Sequence, residues 1–166
     1  MQTYPSAVEV NIALVRKSLD AINRGDLATL ATTVTPDFVR TDLAQAFVTG
    51  GPGAGGLSDF IGLIRAAVPD FKMTIVNIFA TDDQAAAQIR LTGTHEGEVL
   101  GIPGNGGKLD VNGVSLYRFR DGLISGNNQL LDLAGLLRQL QAPALPPAEG
   151  TQVVLYGPPA DLCVTA

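Results

Sequence analysis

LDVNGVSLYRFRDGLISGNNQLLDLAGLLRQL, residues 109–140, changes its period once, and the change decides the architecture. From Leu109 to Phe119 apolar and polar side chains alternate, which is the period of a half-buried strand. Asp121-Gly122 sits where a two-residue hairpin turn needs left-handed backbone, and a second β-rich run, 123–132, follows it. After Asp132 the pattern becomes LAGLLRQL, with leucines at helical spacing. Two antiparallel strands closed by a short helix are therefore predicted over 109–140.

Working outward, FKMTIVNIFA (71–80) and QAAAQIRLTGTH (84–95) are β-rich runs joined by Thr81, Asp82 and Asp83, a second hairpin. Helices precede them. Ser6 and Glu9 form a capping box, Val8, Ile12, Val15, Leu19 and Ile22 recur at spacings of four and three, and Gly25 supplies the stop. Asp26 caps a short second helix through about Val34, and Pro36 ends it before an extended piece around Phe38–Thr41. TGGPGAGG reads as a connection to a third helix over Ser58–Val68 with Phe60, Leu63, Ile64 and Ala67 inward. Helices in front of four long strands describe an α+β domain over 1–141, its helices on one face of the sheet. Residues 142–166 form a proline-rich extension in which TQVVLYG is a candidate edge strand.

Composition narrows the function. The chain has 166 residues and a net charge of −5 with no basic run, so the phosphate-neutralising attraction that dominates nucleic-acid binding is missing. No stretch reaches the roughly 18 apolar residues of a membrane span, and residues 1–10 lack a signal-peptide pattern, so a cytoplasmic protein is expected. One Cys163 and one His95 cannot build a thiolate or imidazole metal site. Hydrophobic residues make up 46% of the chain and aromatics only 5%, more aliphatic surface than one small core must hide, which points to an apolar cavity or a subunit interface.

Strand parity gathers candidates for that cavity. Same-parity residues share a sheet face. Ala85, Ala87, Ile89, Leu91, Gly93 and His95 fall together, as do Leu109, Val111, Ser115, Tyr117 and Phe119, and as do Ile124, Asn128, Leu130 and Asp132. Unbroken alternation thus predicts that His95, Ser115, Tyr117, Asn128 and Asp132 face the helices, with Phe38 and Leu130 as apolar lining. An Asp among leucines is driven toward its neutral form, a histidine can share its proton, and Asn, Ser and Tyr can hold a developing oxyanion. Asp132 also precedes LAGLLRQL and is a natural helix cap, a duty compatible with the first. His95, at a strand end, reads first as a partly exposed loop residue, and in the functional reading it stands at a pocket rim. Gly51, Gly53 and Gly56 match G-x-G-x-x-G, but the following strand turns back as a hairpin without a terminal acidic residue, which favours a plain connection over a nucleotide site.

GTHEGEVLGIPGNGGKLDVNG and YRFRDGLISGNNQLLDLAGLLRQL, with INRGDLATLATTVTPDFV and AAVPDFKMTI before them, resemble the SnoaL-like polyketide cyclases of the NTF2-like superfamily over about residues 6–140. The resemblance implies a cone-shaped α+β barrel whose strongly bent antiparallel sheet wraps the helices around a pocket, a homodimer through the sheet's outer face, and ring closure of a polyketide intermediate without cofactor. The family's acid/base aspartate falls on Asp132 and the histidine of its G-T-H on His95. Gly126, Asn127 and Asn128 replace the family's E-H-W, Ser115 replaces a pocket histidine, and IPGNGGK replaces I-P-P-T-G-R. The expected activity is a cofactor-independent cyclase or isomerase with Asp132 and His95 catalytic, and Asn128, Ser115, Tyr117, Phe38 and Leu130 binding substrate. Epoxide opening or hydroxylation, pericyclic or spiro closure directed by shape, and a ligand carrier are the alternatives. Parity sets Arg90 away from Asp132, against the Asp-Arg-Asp arrangement of water-adding relatives.

Overall fold

The structure, a computed structural model, describes residues 5–42 and 51–141. Its elements run α1 (Ala7–Arg24), α2 (Leu27–Ala31), β1 (Val34–Asp42), α3 (Gly53–Ala67), β2 (Lys72–Ala80), β3 (Gln84–Thr94), β4 (Lys108–Arg120), β5 (Leu123–Leu131) and α4 (Leu133–Gln141). The candidate strand at 151–157 and the rest of the extension lie outside the described residues.

The capping box of α1 is formed in both directions: Glu9 accepts from the Ser6 backbone N–H, and Ser6 Oγ accepts from the Glu9 backbone N–H. Gly25 ends the helix at φ 67°, the left-handed conformation that costs glycine least. Val15 and Leu19 are buried as expected, while Val8, Ile12 and Ile22 are half-buried. The buried Asn11 gives both amide hydrogens to the Thr81 and Asp82 carbonyls, which holds the β2–β3 turn on the helix. Asn23 extends the edge of β2, donating to the Met73 carbonyl and accepting from the Met73 N–H at 2.8 Å each. An edge strand's open backbone groups are satisfied there.

Two helical expectations shift. The second helix stops at Ala31, because β1 begins at Val34 and runs through Pro36 to Asp42, parallel to β5. The third starts at Gly53, five residues before Ser58, so part of the glycine-rich run is its first turn. Gly53 sits at φ 75° with Pro36 backbone where a Cβ would stand; tertiary contact overrides weak helix propensity.

The sheet is mixed, in the order β1-β5-β4-β3-β2, and β1 and β2 do not pair, so the bent sheet stays open. Helices pack on its inner face over a core that includes Val15, Leu19, Leu30, Phe38, Leu57, Ile61, Ile89, Tyr117 and Ile124. A smaller cluster of Ala67, Val68, Leu109 and Leu140 joins α3 to α4 beneath the loop between β3 and β4. At Gly93 of β3 an added Cβ would run into Val68, so this glycine lets the end of α3 lie against the sheet.

Register decides which side chains reach the inside. β3 and β4 pair from Gln84↔Arg118 to Thr94↔Lys108 without a shift. β4 and β5 pair regularly from Gly113↔Leu131 to Arg118↔Gly126, after which Phe119 meets Ile124. Ser125 is the extra residue of a β-bulge. One extra residue moves every later side chain to the other face. Ile124 is buried, but beyond the bulge Gln129 and Leu131 turn inward while Asn128, Leu130 and Asp132 turn outward and are exposed.

Candidate functional site

Between α3, the loop after β3 and the far end of the sheet lies a hollow of about 430 Å³. The third helix contributes Phe60, Leu63, Ile64 and Ala67, the stripe expected to face inward, but Leu63 is 54% exposed and the helix buries Leu57 and Ile61 in the core instead. Leu91, Leu109, Val111 and Leu131 come from the sheet, and Leu136 from α4. The polar side chains on its wall are Thr92, Glu98 and Gln129; Glu98 is exposed and solvated, whereas Gln129 is buried. A concave, mainly aliphatic wall with few polar groups suits an apolar small molecule.

The loop supplies one side. Val99 and Ile102 pair across a tight turn whose central residues, Leu100 and Gly101, have φ 53° and 76°. Leu100 lines the hollow from this conformation, one a bulky side chain seldom adopts. The loop is tied down at its base: the His95 carbonyl accepts from Asn105 N–H and Gly106 N–H, Glu96 and Gly97 N–H donate to the Ala67 carbonyl, and Asn105 Nδ2 donates to the Leu140 carbonyl. Gly104 passes so close to the Glu96 carbonyl that a Cβ would overlap it.

The expected cluster of site residues is not assembled. His95 is fully buried rather than at a rim, and it is not part of the hollow's wall. Its two ring nitrogens have no hydrogen-bond partner among the described residues. Phe38, Ser115 and Tyr117 do face inward, but they belong to the buried interior beside the hollow. Burial pushes the Tyr117 phenol up to about 12, partly offset by its bond with Ser115. Asn128, Leu130 and Asp132 are on the opposite face, for the single reason of the Ser125 bulge.

Asp132 caps α4. Its Oδ1 accepts from Gly135 N–H at 2.8 Å and its backbone carbonyl accepts from Leu136 N–H. A Cβ at Gly135 would overlap the carboxylate as it stands, so a larger residue there would turn the Asp132 side chain out of its cap. Arg90 is also outside, in a two-pronged pair with Asp110 whose Nε–Oδ1 distance is 2.6 Å, and this pairing holds the Asp110 carboxyl below the usual range. Among the described residues no three of His, Cys, Asp and Glu come together as a metal-ligand set.

Gln129 and Leu131 were missed from sequence because nothing local reports a bulge with certainty. The available signal was the polar, glycine-bearing run Ser125-Gly126-Asn127-Asn128, poor in strand formers, where a ladder is easily interrupted.

With this geometry in place, the model of the SnoaL-like polyketide cyclases matches residues 12–140, and the chain belongs to that family. Its fold is accordingly NTF2-like. Among solved structures it is similar to TsrD from Streptomyces laurentii, at 28% identity and a TM-score of 0.71 over 82% of this chain and 97% of that one. IdmH from Streptomyces antibioticus, a proposed polyketide cyclase, is 28% identical with a TM-score of 0.68 over 79% and 98%. AclR from Streptomyces galilaeus, a proposed hydroxylase, is 26% identical with a TM-score of 0.67 over 81% and 97%. No curated protein matches the chain. No helix among the described residues is long and apolar enough to cross a membrane.

Proposed function

We propose that this chain closes the ring of a polyketide-like intermediate held in the aliphatic hollow, and that the shape of the hollow does most of the work. The carrying observation is the contrast between the wall and the aspartate: the hollow is lined by Leu, Ile, Val and Phe side chains, while Asp132 is spent on a helix cap across the sheet. A cavity that holds a flexible chain near its closing geometry lowers the barrier by restricting it in advance. Family membership supplies the reaction class. The hydroxylase reading has AclR beside it, but Arg90 is engaged by Asp110 on the outer face and is not available to an Asp-Arg-Asp site in the hollow.

The test is a paired substitution assayed against a panel of linear polyketide intermediates, with closure read as a cyclic product of equal mass. Filling the hollow by Ala67→Phe is expected to lower turnover by about a hundredfold or more, and Asp132→Asn to leave it within about threefold. The reverse pattern would restore the acid/base aspartate and sink the shape reading. Tight retention of an unconverted ligand would make the protein a carrier instead.

Two copies are inferred to pair through the outer sheet face. Phe79, Leu116, Val114 and Leu130 lie there in adjacent rows, with Phe79 68% and Leu130 60% exposed. Leu130→Asp is expected to turn a dimer into a monomer in sedimentation; wild-type protein that is monomeric at micromolar concentration would refute the pairing.

A further inference from the structure

The hollow has one feature that shape alone does not require: a buried amide in an aliphatic wall. Gln129 is 8% exposed and faces the hollow, and its side chain makes no hydrogen bond among the described residues. Register places it directly opposite Ser115, whose hydroxyl is engaged with Tyr117. Its neighbours on the same wall are Leu131, Val111 and Leu109, none of which can accept or donate. Without a protein partner the amide keeps its hydrogen bonds only through its remaining contact with solvent, so an apolar ligand body that displaces that water must replace those bonds or leave the amide unpaired. It also differs from the polar groups at the mouth, because Glu98 is exposed and exchanges its bonds with solvent.

We infer that Gln129 is the hydrogen-bonding anchor of the hollow, and that its ligand carries a carbonyl, enol or hydroxyl oxygen on an otherwise apolar body. The amide offers two N–H donors and one carbonyl acceptor, so it can serve a ketone through its nitrogen or a hydroxyl through its oxygen. It does not titrate, so the anchor holds across the pH range in which a carboxylate or imidazole would change charge. When the ligand oxygen gains negative charge during closure, the same N–H groups bind it more strongly. This selection of an oxygenated ligand rests on the hollow being the ligand site, as proposed above. It fixes one point of the chain and leaves the rest to be folded by the wall.

The experiment uses two flat probes of nearly equal shape, 2-acetylnaphthalene and 2-isopropenylnaphthalene, titrated into the full-length protein and into Gln129→Met, which keeps side-chain length without the amide. Gln129→Met is expected to weaken the ketone by about tenfold and to leave the hydrocarbon unchanged or tighter. The carbonyl stretch of carbon-13-labelled ketone should lie at lower wavenumber when bound to wild type than when bound to the variant, a readout that mere repacking would not move. Equal loss for both probes, no loss for either, or an identical carbonyl stretch in the two proteins would overturn the anchor while leaving the hollow intact. Failure of both probes to bind wild type would remove the hollow as the ligand site and the anchor with it.

Discussion

β3 and β5 look alike as sequence, and they behaved differently. Each is a run of alternating residues ending in a polar side chain with chemistry to offer, His95 in one case and Asp132 in the other. In β3 the alternation survives from Ala85 to Gly93 because its ladder with β4 never slips. In β5 Ser125 is left unpaired, and the inward set changes from Ile124 to Gln129 and Leu131. A site argument built on parity is therefore only as good as the register beneath it. One unpaired residue exchanged a carboxylate for an amide in the wall of the hollow.

The sharpest way to break this comparison is to insert one alanine between Asn127 and Asn128. Regular pairing past the insertion would bury Asn128, Leu130 and Asp132 and expose Gln129 and Leu131, so it is expected to cost more than about 4 kcal/mol or to abolish folding, as seen in urea denaturation. An insertion protein with an unchanged midpoint would mean that a single residue does not set the face of β5.

Next in size is the inner face that parity located correctly. Tyr117 carries a phenol whose pKa rises from 10.0 to about 12 on burial. The folded state then holds this proton more tightly than the unfolded state. That contribution is complete below pH 10 and drains away as pH climbs from 10 through 12, for a total of about 3 kcal/mol. The fall in urea midpoint over that interval should be visibly smaller in Tyr117→Phe than in wild type. Equal falls would place the phenol in contact with water.

The smallest effect on the single chain is expected on the outer face. Leu130→Asp should change chain stability by no more than about 0.5 kcal/mol, because that side chain is not in the core, even while it disrupts association. A large loss of stability in a monomer would show that Leu130 is inside after all.

Local signals served where local physics decides. The Ser6–Glu9 box, Gly25, the Asp121-Gly122 turn with φ 54° and 73°, and the leucines of α4 were all legible in the sequence, because caps, left-handed turns and helical stripes depend on residues within a few positions of each other. The inward faces of β3 and β4 were legible for the same reason. The extent of β1 was not, since Pro36 reads as a terminator until pairing with β5 holds the chain extended on both sides of it.

The amino-acid sequence by itself determined the α+β class, the order of the elements and the aliphatic stripe of α3, because each follows from composition and short-range periodicity; the family was legible only through the resemblance of its motifs. Only the tertiary structure decided which polar group shares the hollow with that stripe. Strand pairing between residues far apart left Ser125 unpaired and so put Gln129 inside and Asp132 outside, while the unslipped β3–β4 ladder left His95 buried.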